Sequence, residues 1–377
     1  MPANWKTFLS ILTAFGIAAC AQGLDVGPTV EDQKREASEK QGDREALARA
    51  LENQIDFDEA DADSIRERFA QITTKKRPVF TKSHGCVRAE FSIPKHDPGH
   101  AVGLFAEPTE LPKPAWLRIS SDTRPTTPDQ ANSTVGFALK VLDVPGEKIL
   151  EGEKNFPTHD FLLQNHHVFF VDTAKDFMEF TEAIFAGKLT EYKASHPVTA
   201  QTLDDMTKVV ENVRAAEFHS TTPFRFGMED HAKYRVKSCG DVASVAVPDI
   251  TADPNYLATR FAADVADENV DVCFELQVQL RIDDMPLDEG TVAWNPEESE
   301  FKTVATVVVP TQDITANSGL CEKMSFTTWH ALPEHRPVGS VNEARGVVYK
   351  AIADLRREKS GVSVGFPDAD GNIVVPR

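Results

Sequence analysis

The feature that most constrains the fold is a series of short β-rich segments between about residue 77 and residue 310. Several of them alternate apolar with polar residues, as half-buried antiparallel strands do. They are Cys86 to Ile93, Ala115 to Ser120, Gly136 to Leu142, Asp160 to Val171, Cys273 to Ile282 and Phe301 to Pro310. Helical patterns lie at Ala174 to Ala186, Thr202 to Ala216 and Glu343 to Glu358, without a regular alternation of strand and helix. This order predicts an α+β fold around a closed or strongly curved antiparallel sheet.

Residues 1–20 have the pattern of an export signal. Lys6 is the only charge before an apolar run from Phe8 to Ala19, which is too short to span a membrane. The stretch from Gly16 to Cys20 resembles the lipobox of bacterial lipoproteins, in which cleavage leaves a lipid-modified cysteine as the new N-terminus. That resemblance predicts an exported protein, periplasmic or lipid-anchored to a bacterial membrane through Cys20. A plain secretory signal, cleaved near Ala19 or beyond, is the alternative.

Residues 21–75 predict a tether followed by a helical arm. Glu31 to Gln54 is rich in charged residues and alanine, which favours a solvated helix or partial disorder over a packed core. A second helix is predicted from Asp61 to Gln71, where Ile65 and Phe69 share one face. The main domain is then expected at residues 76–360, followed by a tail at 361–377.

Charge and cysteine content exclude some functions. The formal net charge of −19 makes nucleic acid and anionic membrane surfaces poor partners. Four cysteines follow Cys20, and their spacing contains no CxxC pattern of a zinc site. The sequence does not determine their pairing, and we expect most of them to be buried free thiols. They are Cys86, Cys239, Cys273 and Cys321.

The last predicted helix carries an arginine and a tyrosine four residues apart. Side chains at this spacing meet on one face of a helix, so Arg345 lies next to Tyr349. A neighbouring guanidinium stabilises a phenolate, and phenolate is a known axial ligand of haem iron. Taken alone, such a pair is more often a stacking pair on the protein surface.

The residues around this pair resemble those of the catalase superfamily. The segment CEKMSFTTWHALPEHRPVGSVNEARGVVYKAI, residues 321–352, is similar to the stretch that leads into the R-x-x-x-Y helix of catalases. Over the whole chain the resemblance extends from about Lys76 to about Glu358. It implies a catalase-like fold and a haem b whose iron is held by Tyr349. Arg356, eleven residues after Arg345, matches a catalase arginine that pairs with a haem propionate.

Two further segments resemble catalase strands. Asn165 to Phe170 is similar to the N-x-P-x-F-F strand, which implies that Asn165 binds peroxide and that Phe170 lines the distal cavity. His167 stands where that pattern has proline. Trp116 to Ser120 is similar to the V-R-F-S strand, which implies that Arg118 pairs with a propionate and that Ser120 supports the distal histidine. Gly136 to Lys140 is similar to the G-F-A-x-K run, with Val135 where arginine is usual.

The resemblance fails at the distal histidine. The catalase pattern R-x-x-H-A-K matches residues 77–82 except that Phe80 stands at the histidine. The match implies a propionate contact for Arg77 and a place beside the haem for Val79 and Phe80. Phenylalanine cannot transfer a proton, so general acid–base catalysis at this position would be lost. Aligning instead on Glu90 and Phe91 moves the match by one residue and puts Thr81 at the catalytic position.

His84 is the nearest histidine along the chain. Four residues of extended strand cover about 13 Å, so His84 could replace the missing group only through a bulge or a shifted register. It is therefore either a distal base or a structural histidine.

The sequence predicts a ferric haem protein that acts on hydrogen peroxide or organic hydroperoxides. Loss of a proton-transfer group typically costs about 10²- to 10⁴-fold in rate, so we expect a slow peroxidase rather than a fast catalase. The alternatives are a haem-binding protein with little catalysis and a hydroperoxide rearrangement enzyme similar to catalase-related allene oxide synthases. The sequence leaves the reductant and the oligomeric state open.

Overall fold

Eight antiparallel strands close into a barrel in the computed structural model, which describes residues 30–317 and 319–376. The barrel strands are β1 Lys82–Ser92, β2 Lys113–Ser121, β3 Val135–Leu142, β4 Thr158–Gln164, β5 Phe218–His219, β7 Asp230–Ser238, β8 Val272–Leu280 and β9 Lys302–Val309. They follow the order β5-β4-β3-β2-β1-β9-β8-β7, and β5 closes the ring by pairing with β7. A short strand, β6 Phe224–Phe226, extends β7, and β10 Phe366–Pro367 pairs with β11 Ile373–Val374.

The interior of the barrel is the main hydrophobic core. On β3, for example, Val135, Phe137, Leu139 and Val141 are fully buried in it, and the residues between them face outward. Phe137 contacts Phe274 on the opposite side of the barrel, with ring centroids 5.3 Å apart. The predicted α+β class with an antiparallel barrel is therefore confirmed.

The described residues form eight α-helices. They are α1 Val30–Glu52, α2 Glu59–Ile72, α3 Ala174–Phe185, α4 Leu189–Ser195, α5 Pro197–Met206, α6 Tyr256–Ala266, α7 Leu320–Lys323 and α8 Ser340–Ser360. Among the described residues, none of these helices combines the length and apolar character that crossing a membrane requires.

Helices α2, α3 and α8 share a second hydrophobic cluster. Ile65 of α2 packs with Val348 and Ile352 of α8, and Ala174 of α3 closes the group. Helix α8 ends at Ser360 and is capped by Gly361, whose positive φ of 66° allows its amide to bond back to the Arg357 and Glu358 carbonyls.

The chain divides into residues 1–42 and residues 43–377. The second unit contains α2 together with the barrel, so the second helix of the predicted arm packs within the main domain. Of the first unit, the structure describes only the start of α1, whose described side chains there are exposed. The predicted export signal and Cys20 lie outside the described residues.

Two segments differ from the sequence prediction. The helix predicted at 202–216 instead spans Pro197–Met206. Thr207 is extended, and Lys208 then forms a β-bridge with Ser133, so a tertiary contact ends the helix. The strand predicted to reach Val171 ends at Gln164.

The four cysteines form two disulfides, Cys86–Cys321 and Cys239–Cys273. The expectation of free thiols was wrong, because the barrel brings together residues that are far apart in sequence. Cys86–Cys321 joins β1 to α7 across 235 residues of chain. A disulfide that closes so long a loop stabilises a fold by about 2–5 kcal/mol.

A buried ionic network ties α8 to the outer face of the barrel. Lys140 Nζ donates to both carboxylate oxygens of Asp160, at 2.5 and 2.7 Å. His330 lies between Asp160, at 3.1 Å, and Glu153, to which its Nε2 bonds. Arg357 of α8 donates to Glu153 at 2.7 Å. All five side chains are less than one-tenth exposed, so each charge depends on its partners.

Candidate functional site

One face of α8 presents the residues singled out in the sequence. Arg345, Tyr349 and Arg356 are separated by four and seven residues, which keeps them on one face and spreads them over about 16 Å. The Arg345 guanidinium lies over the Tyr349 ring, 5.2 Å from its centroid. Tyr349 is partly buried and packs on the α2–α3–α8 cluster. Among the residues that the structure describes, none forms a hydrogen bond with the Tyr349 hydroxyl.

Arg345 is held in place by hydrogen bonds that it donates to its own helix and to the segment between β5 and β6. Its Nη1 donates to Asn342 Oδ1 at 3.0 Å and to Thr222 Oγ1 at 3.3 Å. Asn342 is completely buried and donates in turn to the Pro223 and Val338 carbonyls. The predicted pair is therefore a positioned contact rather than a loose stacking pair on the surface.

Three predicted propionate ligands meet at one place. Arg77 Nη1 donates to Glu322 Oε1 at 3.0 Å, and Arg118 Nη2 lies 3.4 Å from the same oxygen. Arg356 Nη2 donates to the Glu322 carbonyl at 2.5 Å. Arg77 also donates to the carbonyls of Cys321 and Met324, both at 2.7 Å. We call Arg77, Arg118, Arg356 and Glu322 the arginine cluster.

The arginine cluster carries more positive than negative charge. Two guanidiniums contact the Glu322 carboxylate and the third, of Arg356, binds the Glu322 main-chain carbonyl, which leaves a net charge of +2. Burial and the neighbouring Arg77 lower the pKa of Arg118 and of Arg356, each to about 9. Burial opposes ionisation of Glu322, yet the three guanidiniums lower its pKa. The Nε atoms of Arg118 and Arg356 are buried without a hydrogen-bond partner among the described residues. A buried cluster of this kind is suited to bind a dianion.

Phe80 lies on the same face of the sheet as Arg118. Ser120 accepts a hydrogen bond from Arg118 Nη1 at 2.6 Å, and Ser120 pairs across the sheet with Gly136. The Phe80 ring covers Gly136 so closely that a Cβ there would come within 2.8 Å of it. Arg118 also donates to the Phe80 carbonyl at 2.8 Å. The ring thus lies beside Arg118 and Ser120, the surroundings expected for the distal histidine.

The backbone of Phe80 is in the left-handed region, with φ of 52°. This conformation is costly for a bulky residue and persists only where the surroundings enforce it. Here the Arg118 hydrogen bond and the contact with Gly136 enforce it.

His84 lies on a β-bulge in β1. Ser83 pairs with Ser120 and Gly85 with Ile119, so His84 is an extra residue without a partner on β2. Its Nε2 lies 2.6 Å from Ser121 Oγ. Neighbouring strand residues point to opposite faces, so Ser121 and His84 lie on the face opposite to Ser120 and Arg118. His84 therefore points into the barrel, and the structure favours the structural alternative over a distal base.

The surroundings of His84 keep its ring neutral. Burial lowers the pKa of His84 to about 4, even though Asp129 Oδ1 lies 3.9 Å from its Nδ1. Lys82, on the same face, forms the stronger pair with Asp129 at 2.5 Å.

Buried neutral histidines predict a specific loss of stability in acid. Burial also lowers the pKa of His335 to about 4 and that of His219 to about 3. In the unfolded chain these rings bind protons near pH 6.5. Acidification therefore favours unfolding, and the stability present above pH 6.5 should fall as the pH drops toward 4. Each ring contributes a slope of about 1.4 kcal/mol per pH unit.

Urea unfolding between pH 7.5 and 4 measures the free energy of unfolding as a function of pH, and a His84→Gln variant should show a shallower slope. An equal slope in that variant would contradict the assignment of His84 as a buried neutral ring.

The remaining predicted site residues do not belong to the arginine cluster. Asn165 Oδ1 accepts a hydrogen bond from the Val135 amide at 2.7 Å, which leaves its Nδ2 as the side-chain donor. Phe170 packs on Phe180, with ring centroids 4.7 Å apart, in an aromatic group beside α3. Val79 is 41% exposed.

Sequence reasoning missed Glu322 and the partners of Arg345. Glu322 lies within the segment compared with catalases, between Cys321 and Ser325, but its sequence context does not indicate an ion pair. Thr222 is 123 residues from Arg345, so only the folded chain brings them together.

The donors of this site match those that a haem requires. A haem has two propionates on one edge and an iron that takes an axial ligand, for which a tyrosine oxygen can serve. The arginine cluster and the Tyr349 hydroxyl supply both requirements. A cavity of about 10 Å³ adjoins the cluster, lined by Glu322, Met324, Ser325 and Arg356. It is smaller than the about 300–1,000 Å³ typical of ligand pockets. The side chains around this cavity would therefore have to move to admit a porphyrin.

The comparisons with known proteins identify the fold. No family model matches the sequence, and no curated protein matches it. A solved fungal catalase superimposes with a TM-score of 0.64 at 14% identity, over 82% of this chain and 64% of that chain. Catalase A from Saccharomyces cerevisiae superimposes with a TM-score of 0.63 at 13% identity, over 82% of this chain and 67% of that chain.

These similarities concern architecture. The chain spans about two thirds of the length of the catalases that it matches. At this identity the superposition is evidence for the fold alone. The closed barrel, the surrounding helices and the superposition agree with the resemblance found in the sequence. This chain has the catalase fold.

Proposed function

We propose that this protein binds ferric haem, with Tyr349 as the iron ligand and the arginine cluster as the site of the two propionates. The observation that carries the proposal is the net charge of +2 in the largely buried arginine cluster, to which α8, the helix that presents Tyr349, contributes Arg356. Burying three guanidiniums with one carboxylate is costly unless a further anion pairs with them. A haem has the required two negative charges on one edge.

The side chains of this site would hold the haem at two places, its iron and its propionates. Arg345 places a positive charge over the Tyr349 ring, which favours a negatively charged phenolate oxygen. Asn342 and Thr222 fix Arg345 in that position. Arg118 and Arg356 each have an unused Nε donor for a propionate oxygen. The bound haem would supply a redox-active iron that can react with peroxides.

The distal side supports slow rather than fast turnover of peroxide. Phe80 lies where a proton-transfer group is needed, and His84 lies on the opposite face of the sheet. Asn165 Nδ2 is available to donate a hydrogen bond to a hydroperoxide. Of the functions predicted from the sequence, the geometry gives most support to a haem-binding protein. This protein would have weak peroxidase activity toward hydrogen peroxide or organic hydroperoxides.

Export to an oxidising compartment is part of this proposal. Two disulfides in one domain are typical of exported proteins and rare in the cytosol. They support the export signal predicted at residues 1–20 and the lipid anchor at Cys20, which stay predictions.

Titration with ferric haem tests the binding proposal. We expect one haem per chain and a Soret band typical of ferric tyrosinate haem. Substituting Arg118 with Gln should weaken binding, because it removes a propionate partner. A wild-type protein that produces no Soret shift would overturn the proposal.

Replacing Phe80 with His tests why turnover is slow. The new imidazole would lie beside Arg118 and Ser120, and it should raise the rate of peroxide turnover by about 10²- to 10⁴-fold. Oxygen evolution and dye oxidation by the haem-loaded variants measure the two activities. Phe80→Leu is the matched control and should remain slow. A wild type already as fast as the Phe80→His variant would show that another group moves the proton.

A further inference from the structure

Three paired residues on neighbouring strands share the outer face of the barrel beside Phe80. Ser120 of β2 pairs with Gly136 of β3, and Gly136 pairs with Gln164 of β4. Residues adjacent to them in the chain belong to the core inside the barrel, namely Ile119, Val135, Phe137 and Leu163. Because neighbouring strand residues point to opposite faces, Ser120, Gly136 and Gln164 face outward.

This arrangement puts Gln164 next to the Phe80 ring. The ring covers Gly136, and residues that pair directly across two strands have Cβ positions only about 5 Å apart. Ser120, which accepts a hydrogen bond from Arg118, lies on the other side of Gly136. Gln164 therefore borders the position expected for the distal histidine, on the side away from Arg118.

The side-chain amide of Gln164 has a buried donor without a partner. Its Nε2 is buried, and among the described residues none accepts a hydrogen bond from it. Leaving such a donor unpaired is costly, so a water or a ligand is expected to accept from it. The neighbouring Phe80 ring carries no oxygen or nitrogen that could do so.

We propose that Gln164 is a distal hydrogen-bond donor of this site, whose Nε2 donates to a small ligand on the distal side of the bound haem. This inference rests on the proposed function, because it assumes that haem occupies the site. It adds a residue outside the catalase-like pattern, which begins at Asn165. An amide donates a hydrogen bond but does not exchange its proton as a histidine does. Gln164 therefore stabilises a bound ligand without restoring the acid–base catalysis that Phe80 lacks.

Fluoride binding to the haem-loaded protein tests this role without measuring turnover. Fluoride is a small anion that binds ferric haem and accepts hydrogen bonds, and its binding is followed by the change in the visible spectrum. Gln164→Met keeps a side chain of similar length and removes the donor. This variant should bind fluoride about ten- to a hundredfold more weakly than the wild type, the effect of one hydrogen bond to an anion.

The matched control is Gln201→Met, the same change on the exposed surface of α5. The Gln201 amide donates to Asp205 Oδ2 at 3.0 Å, so its loss should leave fluoride affinity unchanged. Circular dichroism checks that Gln164→Met folds, and Gln164→Leu serves as a second variant without the donor. Both Gln164 variants should still bind haem as the wild type does, because the arginine cluster and Tyr349 are intact.

The outcomes distinguish this inference from the proposed function. Haem-loaded Gln164 variants that bind fluoride as tightly as the wild type would overturn the role of Gln164 and leave haem binding intact. A haem-loaded wild type that binds no fluoride would also overturn that role alone. Failure of the wild type to bind haem would overturn the proposed function, and the inference with it.

Discussion

Replacement of Tyr349 by phenylalanine is expected to abolish the ferric tyrosinate Soret band of the haem-loaded protein. The change removes one oxygen and leaves the ring, so packing against α2 and α3 is retained. It removes the oxygen that we propose as the iron ligand. Any haem that still binds through the arginine cluster should show the spectrum of a different axial ligand.

The matched control is Tyr192→Phe, the same change in another surrounding helix. The Tyr192 hydroxyl bonds the Asp176 carbonyl at 3.3 Å, away from the arginine cluster. This variant should keep the wild-type spectrum. Survival of the tyrosinate band in Tyr349→Phe would show that the ligand lies elsewhere and would remove the basis for the proposed iron site.

Substituting Lys140 with Met should destabilise the fold by about 3–5 kcal/mol. Lys140 is the main partner of Asp160, and the Asp160 side chain is completely buried. Removing one member of a buried ion pair leaves the other charge without compensation. His330 and Arg357 would remain, but both already bind Glu153. Denaturant unfolding under non-reducing conditions measures the loss.

A double variant isolates the cause of that loss. Lys140→Met combined with Asp160→Leu removes both charges and should be more stable than Lys140→Met alone. Lys302→Met breaks an exposed pair with Glu300 and should cost less than about 1 kcal/mol. If the double variant were as unstable as the single one, packing rather than an unpaired charge would explain the effect.

Features with a strong local pattern could be predicted from the sequence. Alternation of apolar and polar residues located most of the barrel strands, and the spacing of Arg345, Tyr349 and Arg356 placed them on one face of a helix. The convergence of Arg77 and Arg118 with Arg356 came from the resemblance to catalases, and the structure brings these three side chains together.

Features that depend on distant contacts could not be predicted. The pairing of Cys86 with Cys321 and the place of Glu322 between two arginines follow from closure of the barrel. The helix α5 ends where Lys208 meets Ser133, a contact that no local pattern encodes. Helix propensity and charge pattern carry no information about contacts between residues that are far apart in sequence.

The bulge at His84 also changes how this chain should be aligned with other proteins. Where a compared protein lacks this extra residue in β1, the segments before and after it cannot be matched in a single ungapped frame. A one-residue insertion at position 84 lets residues 77–82 and Glu90–Phe91 match at the same time. In that frame the position of the distal histidine is Phe80 and not Thr81. Searches for homologues should therefore allow a gap here, since an ungapped profile would shift the match at residues 77–82 by one position.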